Sequence, residues 1–376
     1  MQSESHPAWL EIDLSVVEQN VRAIRQLSGV DVMAVVKADA YGYGATQVAA
    51  AALRGGATWL GVARVDEGLA LRSAGFEQPI LVLGMVPLGQ IDSAIGAGLR
   101  LPVASNEGAA AFSARAQALG RSLAVHLKLD TGMGRLGVLP ADAAALGQFI
   151  CAQPGLLLEG VFSHLANADR QDDPSVSLQL SRFRQALAGL YGAGIRPQLV
   201  HLANTAAALA YPETCFNLVR VGQGLMGHNA FSDRPLHPAI RRALQAWKAR
   251  LVSCRRLPAG SRVGDESGYI TTCEEVIGIV SAGYGDGIWR QPGNEVLIGG
   301  RRQAAIGLPH MDCMLVRLSR PYPLDSEVLL TGTQGTETIT IQDLALRYGT
   351  GPGKITAVIP RRVKRVYLSG AGDEIG

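Results

Sequence analysis

The chain has 376 residues, of which 47% are apolar and 18% charged, as in a folded globular protein and unlike a disordered one. Its 35 Lys and Arg residues nearly balance 32 Asp and Glu residues, so bulk charge does not suggest a nucleic-acid or membrane partner. The first residues lack a signal-peptide pattern, and no apolar run is long enough to span a membrane. The 5 cysteines lack metal-site spacing. We therefore predict a cytoplasmic protein without a metal site.

Short apolar segments alternate with Ala-rich amphipathic segments from about residue 10 to residue 230. Strands that are apolar throughout and alternate with helices are typical of a parallel sheet covered by helices. About eight such units predict a (β/α)8 barrel. The predicted strands include 32–36, 59–63, 80–83, 123–129, 158–163, 198–202 and 218–220, and the predicted helices include 46–54, 65–73, 107–119 and 176–191.

The pattern changes after about residue 235, where β-branched segments are separated by Gly and Pro turns. This pattern indicates a mostly antiparallel β domain. We therefore predict an α/β chain with an N-terminal (β/α)8 barrel at 8–234 and a C-terminal β domain at 235–376, on which residues 1–7 could also pack. The strands predicted in this domain are 248–253, 276–280, 295–298, 327–330, 337–341 and 362–367.

Polar residues follow several of the predicted barrel strands, at the end where such barrels place their functional groups. Lys37 ends the first of these strands, and a partly desolvated amine has a lowered pKa and can attack a carbonyl group. One such residue alone would be ordinary structure, but convergence of several strands indicates a site. The other candidates at strand ends are Lys128, Asp130, Arg135, His164, Asn204, Thr205 and Arg220.

The segment 37–44, KADAYGYG, joins the lysine to Tyr41, whose hydroxyl can bond a phosphate, and to glycines that allow close backbone approach. Segment 220–224, RVGQG, offers an arginine and backbone N–H groups. Asn204 and Thr205 open a predicted helix, and a helix N-terminus favours anions. Because an amine, phosphate-binding groups and an arginine suit pyridoxal 5′-phosphate (PLP), we predict PLP as the cofactor.

These features resemble the alanine racemase family of PLP enzymes, whose fold is a (β/α)8 barrel followed by a β domain. Segment 34–44, AVVKADAYGYG, is similar to the family's PLP-lysine signature, and 126–137, HLKLDTGMGRLG, to a second specific stretch. Weaker similarities lie at 162–169, 201–206, 283–287 and 311–312. The resemblance extends over nearly the whole chain.

The resemblance implies a role for each matching residue. Lys37 carries PLP and is one of two catalytic bases, while Arg135 binds the cofactor phenolate oxygen and the substrate carboxylate. Met311 also binds that carboxylate, and the family's homodimers supply it from the partner subunit. Lys128 matches a lysine that some members carbamylate; the alternative is an unmodified lysine paired with an acid such as Asp130. The remaining cofactor positions that the resemblance implies are Tyr41, Thr205, Gly222 and Gln223 around the phosphate, Arg220 at the pyridine nitrogen and His164 bracing that arginine. Asn204, which opens the predicted helix with Thr205, is a further cofactor-binding candidate.

Three positions depart from the family pattern, and one of them is Met226 in segment 225–227, LMG, where the family usually has a tyrosine. Asp265 occupies the place of the tyrosine that serves as second base, and Gly353 replaces another active-site tyrosine. A carboxylate is a weaker base than a phenolate, with reference pKa values of about 3.9 and about 10, but burial can raise the former. We therefore predict that Asp265 is the second base or binds a substrate group, with Tyr269 as the alternative base. The missing phenol favours a substrate larger than alanine.

Three functions remain open at this point. The leading one is an amino-acid racemase or epimerase, because Arg220 would keep the pyridine nitrogen unprotonated and so weaken the cofactor as an electron sink. The second is a one-base PLP lyase, such as a decarboxylase or aldolase. The third is a PLP-binding protein without catalytic activity.

Overall fold

The computed structural model describes residues 6–265, 268–368 and 374–375. The chain divides into two compact units. The barrel unit contains Val17–Ala40 and Gly44–Arg241, and the β unit contains residues up to Val16, Tyr41–Tyr43 and residues from Arg242 onward. This division differs from the predicted ranges 8–234 and 235–376 at 8–16, at Tyr41–Tyr43 and at 235–241. The first strand, β1 (Ala8–Asp13), pairs with strands of the β unit. Most of the predicted packing segment, residues 1–5, lies outside the described residues.

Parallel strands alternate with helices along the barrel unit. The strands are β2 (Asp31–Val35), β3 (Trp59–Val62), β4 (Ile80–Val82), β5 (Leu101–Val103), β6 (Leu123–Lys128), β7 (Leu156–Phe162), β8 (Leu199–His201) and β9 (Leu218–Val221). The helices are α1 (Leu14–Ser28), α2 (Lys37–Tyr41), α3 (Ala45–Arg54), α4 (Val65–Ser73), α5 (Ile91–Gly96), α6 (Asn106–Ala118), α7 (Ala143–Ala152), α8 (Pro174–Gly192) and α9 (Thr205–Ala210).

The strands form a closed ring. They pair in the orders β4-β3-β2-β9 and β5-β6-β7-β8. A parallel bridge between Leu81 and Arg100 joins β4 to the start of β5, and Arg220 N–H donates to Ala203 C=O at 3.0 Å to join β9 to the end of β8. The predicted barrel is thus confirmed, although β5 was not predicted. Strand β5 has only three residues, too few to show a strand pattern, and the middle one is Pro102.

Burial explains why the barrel strands are apolar along their whole length. Every residue of β3, β4, β5 and β9 is buried, because one face points into the barrel and the other lies under helices. Some of the helices begin at side-chain caps. Ser105 Oγ, for example, accepts the Gly108 N–H at 3.1 Å at the start of α6, and Pro174 follows the cap of α8.

The β unit is built on one long, mostly antiparallel sheet. Strand β10 pairs with β1, β17 and β13, while β1 also pairs with β19 in parallel. The predicted antiparallel domain is confirmed. Its further strands are β10 (Leu244–Leu257), β11 (Arg262–Val263), β12 (Tyr269–Ile270), β13 (Glu275–Val280), β14 (Glu295–Ile298), β15 (Arg301–Ala304), β16 (Met314–Leu318), β17 (Glu327–Gln334), β18 (Glu337–Ile339), β19 (Lys364–Leu368) and β20 (Glu374–Ile375).

Two helices of the β unit, α10 (Ile341–Arg347) and α11 (Pro352–Ala357), were not predicted. The strand expected at 337–341 ends early because Thr340 caps α10. Its Oγ1 accepts the Asp343 N–H at 3.1 Å, and Asp343 Oδ2 accepts the Thr340 N–H at 2.7 Å. Within the described ranges, no helix has both the length and the apolar character needed to cross a membrane.

The segment Tyr41–Tyr43 is anchored in the β unit by its backbone. Arg365 Nε donates to Gly42 C=O at 2.9 Å, and the Tyr367 hydroxyl donates to Tyr43 C=O at 2.9 Å. Gly42 has φ of +88°, and a Cβ atom there would overlap the carbonyl oxygen of Thr356. The glycine is therefore required both by its dihedral angle and by the close approach of α11.

We expect Gly42→Ala to destabilise the β unit far more than Gly75→Ala. Both glycines have nearly the same φ, +88° and +90°, but a Cβ at Gly75 meets nothing within 4 Å. The Gly75 variant should lose only the strain of a left-handed alanine, about 1–2 kcal/mol, whereas Gly42→Ala adds a backbone overlap worth roughly 1–3 kcal/mol more. Urea unfolding followed by circular dichroism measures both, and equal losses would contradict the packing at Gly42.

Candidate functional site

A left-handed turn follows Lys37 directly. Ala38, Asp39 and Ala40 have φ values of 50°, 53° and 52°, and Tyr41 continues with 57°. Non-glycine residues in this conformation cost about 1–2 kcal/mol each, so the surroundings must hold the turn. Such strain is found most often at functional sites.

Two carboxylates brace this turn. Glu67 Oε1 accepts the Ala38 N–H at 2.5 Å, and Asp39 Oδ1 accepts the Ala45 N–H at 2.7 Å. The other oxygen of Glu67 accepts the Ala63 N–H at 2.7 Å. Glu67, which the sequence analysis did not single out, therefore connects the end of β3 to the residue after Lys37. These two carboxylates therefore hold the backbone of the strained turn that follows Lys37.

The Lys37 amine is partly buried near several cations. Burial, with the positive charges of Arg135 and Arg220, lowers the pKa of Lys37, and Glu67 opposes the shift. A larger fraction of this amine is therefore neutral than for an exposed lysine. Tyr41, four residues after Lys37, is also largely buried, and this burial raises the pKa of its phenol to about 12. Tyr41 therefore keeps its proton and can donate it in a hydrogen bond.

Arg220 lies inside the barrel unit and is 5% exposed. Its guanidinium donates to the carbonyl oxygens of Ser163, His201 and Leu202 at 2.6, 2.9 and 3.0 Å. It also contacts His201 Nδ1 at 3.1 Å and His164 Nδ1 at 3.3 Å. These acceptors are all uncharged, so none of them neutralises the positive charge of the guanidinium. Burial lowers the pKa of Arg220 to about 9, which still leaves it protonated at neutral pH.

Lys128, the last residue of β6, is buried beside Arg220 and over an aromatic ring. Its Nζ lies 4.3 Å from the centre of the Phe162 ring. Burial, followed by the charges of Arg220 and Arg135, lowers the pKa of Lys128 well below its usual value. Burial and the charges of Arg220, Lys128, Arg135 and Lys37 likewise lower the pKa of His164, so its imidazole is neutral.

Asp130 shapes the loop that carries Arg135. Its Oδ1 accepts the N–H groups of Gly132, Met133 and Gly134 at 2.9, 2.9 and 3.1 Å. Its Oδ2 accepts the Arg135 N–H at 3.0 Å. Although burial opposes ionisation, these four donors lower the pKa of Asp130. The carboxylate is thus engaged by the backbone, while Lys128, Asp130, Arg135 and His164 line one small cleft.

Hydroxyl and backbone groups meet where β8 and β9 end. Helix α9 begins at Thr205, and Asn204 Oδ1 caps it by accepting the Ala207 N–H at 3.0 Å. Thr205 Oγ1 accepts the N–H groups of Gly222 and Gly224 at 3.2 and 3.4 Å. The structure therefore brings Asn204, Thr205, Gly222 and the adjacent Gln223 to one corner of the barrel unit.

The remaining candidates lie in the β unit. The Asp265 side chain is 70% exposed, and its Oδ2 lies 3.6 Å from His310 Nδ1. Met311, the next residue, is 54% exposed. The Tyr269 hydroxyl donates to Glu275 Oε2 at 2.6 Å, and this bond, with some burial, raises the pKa of Tyr269. Tyr269 is thus held as a proton donor to Glu275. Gly353 is buried within α11.

The loop that carries Met311 is fixed within the β unit. Tyr284 N–H donates to His310 C=O at 2.9 Å, and Gly285 N–H donates to Met311 C=O at 2.8 Å. Arg362 bridges Asp286 at 2.8 Å and Asp312 at 2.9 Å. His310 and Met311 are therefore presented on a well-held turn.

The barrel unit concentrates positive charge at the ends of its strands. The charges of Arg135 and Arg220 add to burial in lowering the pKa values of Lys37 and Lys128, so these four side chains lie close together. The nearby carboxylates, Glu67 and Asp130, are bonded to backbone N–H groups. Such a cluster, with a hydroxyl and backbone N–H groups beside it, suits an anionic ligand.

Comparison with known proteins gives matches over both units. Residues 12–250 match the family model of the alanine racemase N-terminal domain, and residues 244–367 match that of the C-terminal domain. Alanine racemase of Symbiobacterium thermophilum is 41% identical over 366 residues, which cover 96% of this chain and 97% of that protein.

Solved structures of racemases have the same fold as this chain. Alanine racemase from E. faecalis has a TM-score of 0.91 at 35% identity, covering 97% of this chain and 99% of that chain. Histidine racemase from Leuconostoc mesenteroides has a TM-score of 0.90 at 28% identity, covering 98% and 99%. The chain belongs to the alanine racemase family, whose enzymes are isomerases that use pyridoxal 5′-phosphate.

Proposed function

We propose that this chain interconverts the L- and D-forms of an amino acid by exchanging the α-proton, with Lys37 as one base and Asp265 as the other. The observation that carries the proposal is the cationic cluster around Lys37, whose lowered pKa suits both covalent cofactor binding and proton transfer. The family assignment supports the cofactor and the reaction class.

The residues present fit PLP. The cofactor carries an anionic phosphate and phenolate, and the site supplies an excess of buried positive charge. Lys37 would bind it covalently, Arg220 would meet the pyridine nitrogen, braced by His164, and Arg135 would meet the phenolate oxygen. The phosphate would lie against Tyr41, Asn204, Thr205, Gly222 and Gln223.

Proton transfer is then divided among residues of this chain. When bound, PLP withdraws electrons from the α-carbon of the amino acid and so makes its hydrogen acidic. Lys37 Nζ takes or returns the proton on one face, while Arg135 and Met311 hold the substrate carboxylate. Arg220 remains a donor because its pKa of about 9 lies above neutral pH. It would leave the pyridine nitrogen of the bound cofactor unprotonated, which would favour simple proton exchange over lyase chemistry.

A second base is needed because one lysine reaches only one face of a planar carbon. Asp265 occupies the sequence position of the family's tyrosine base, whereas Tyr269 already donates its proton to Glu275. The exposure of Asp265 and Met311, 70% and 54%, supports a homodimer in which the β unit of one subunit completes the barrel site of the other. Burial by the partner would also raise the pKa of Asp265.

We further propose a substrate larger than alanine. Gly353 and Asp265 remove two phenol groups relative to the family pattern, which leaves more room and adds a negative charge. The histidine racemase of similar structure is named for a larger substrate than alanine. A carboxylate at Asp265 would favour a side chain that is cationic or donates hydrogen bonds.

The function is tested with the purified protein and a panel of L- and D-amino acids in D2O. Borohydride should fix PLP to the peptide that contains Lys37, and at least one amino acid should become racemic with deuterium at its α-carbon. Chiral chromatography and mass spectrometry measure both. An amine with release of CO2 would instead identify a decarboxylase, and bound PLP without any product would identify a non-catalytic protein.

Asp265→Asn should retain PLP but lose activity by about 100-fold or more, the usual effect of removing a positioned acid–base group. The loss should be greatest in the direction in which Asp265 takes the proton, as shown by deuterium incorporation. An unchanged rate with altered amino-acid preference would make Asp265 a specificity residue. His310→Asn is the matched control, because a loss at least as large would show that the neighbouring imidazole carries the proton.

Mixing two inactive variants tests the composite homodimer. In a hybrid of Lys37→Ala and Asp265→Asn subunits, one barrel has an intact lysine and meets an intact β unit, while the other site carries both changes. Activity should therefore return after the subunits are exchanged, approaching a quarter of the wild-type rate in a random mixture (half the dimers, each with one site of two). Sites completed within one subunit would give no recovery.

A further inference from the structure

A chain of polar side chains crosses the apolar interior of the barrel unit. Arg220 Nη1 lies 3.1 Å from His201 Nδ1, His201 Nε2 lies 2.9 Å from His126 Nδ1, and His126 Nε2 lies 3.2 Å from Glu159 Oε2. Both histidines are 0% exposed. The proposed function gives Arg220 a role but leaves His126, His201 and Glu159 unexplained.

The two ends of this chain fix the position of every proton in it. An arginine only donates hydrogen bonds, so His201 Nδ1 must accept and its proton must sit on Nε2. That Nε2–H donates to His126 Nδ1, so the proton of His126 also sits on Nε2 and faces Glu159. A carboxylate only accepts, so the opposite end requires the same arrangement.

The charges along the chain agree with this arrangement. Burial lowers the pKa of His201, with a further contribution from Arg220, and burial lowers the pKa of His126. Both rings are therefore neutral and have one donor and one acceptor nitrogen. Burial opposes ionisation of Glu159, but the hydrogen bond from His126 and the charge of Arg100 lower its pKa.

The chain connects the two ends of the barrel strands. Arg100, which immediately precedes β5, lies 3.3 Å from Glu159 Oε2. Arg220 and its partner His164 lie toward the opposite ends of the strands. The aromatic ring of Phe162 stacks on His201 with 4.8 Å between ring centres and 3° between planes, which keeps the ring from rotating. A fixed tautomer and a fixed ring plane together define where Arg220 can lie.

We propose that Glu159 and His126 are positioning residues for Arg220, acting through the tautomer of His201. The reversed tautomer would place an N–H of His201 against an N–H of Arg220 and remove one contact that holds the guanidinium. The inference rests on the proposed function in that the held arginine meets the cofactor ring. The arrangement of protons itself depends only on the described residues.

The test uses the PLP-loaded enzyme labelled with ¹⁵N-histidine. In the wild type, Nδ1 of both His126 and His201 should give the signal of an unprotonated, hydrogen-bonded nitrogen, and the neutral form should persist across the pH range in which the fold is stable. His126→Leu removes the acceptor for His201 Nε2–H, so the His201 signals should shift. His126→Asn can still accept through Oδ1 and should restore them. His228→Leu removes another buried imidazole and should leave the His201 signals unchanged.

Cofactor affinity and kinetics give the second readout. His126→Leu should weaken PLP binding and lower kcat by roughly tenfold, the scale of one lost buried hydrogen bond. KM should change little because Arg135 holds the substrate, and His126→Asn should recover most of the loss. If His126→Leu does not fold, Glu159→Gln, at the partly exposed end of the chain, should shift the His126 signals and lower kcat less.

A wild-type His201 with its proton on Nδ1 would overturn the inference, as would Leu and Asn variants that behave alike. Failure of the proposed function is seen separately. If the tautomers are as inferred but the enzyme binds PLP and racemises no amino acid, the proposed function is wrong and the proton arrangement is still supported. If the enzyme racemises an amino acid but His201 has the reversed tautomer, only the present inference is wrong.

Discussion

The burial of one permanent cation, Arg220, constrains much of the barrel unit. A guanidinium cannot easily lose its proton, so it must be surrounded by acceptors if it is to lie in an apolar interior. The ends of β7 and β8 supply three backbone carbonyl oxygens, and two imidazoles supply the rest. The ends of β7 and β8 must therefore point these carbonyl groups at Arg220, and the two histidines must stay neutral in order to accept from it. Arg220 also contributes to closing the barrel, because its backbone N–H donates to Ala203 C=O, just beyond the carbonyl groups that bind its side chain.

The same positive charge has two chemical consequences. Together with burial and the charge of Arg135, it lowers the pKa of Lys37 and so makes a nucleophilic and basic amine available. It also favours anions such as a phosphate and a carboxylate. The carboxylates that could neutralise it, in Glu67 and Asp130, bind backbone N–H groups instead. Charge at this site is thus left for ligands to balance, while the acids hold the turn after Lys37 and the loop before Arg135.

The sequence predicts features that depend on local pattern. Apolar runs revealed most barrel strands, and the polar residues after them include Lys37 and Arg220. Features that depend on tertiary structure were missed. Strand β5 has too few residues to show a period, and the left-handed turn contains alanines that ordinarily avoid that conformation. His126 and His201 lie within strands, where the apolar pattern hides them, and only the closed barrel brings them to 2.9 Å.

The pairing of β1 has a consequence for how the protein is made. Trp9 pairs with Lys248 and with Lys364, so this strand leaves the ribosome well before either of its partners. The barrel unit emerges in between and can fold while β1 still has unpaired backbone groups. Contacts of such long sequence separation form slowly, and an unpaired apolar strand is prone to join other chains. The yield of native protein in a cell should therefore depend on translation speed and on chaperones that shield this strand.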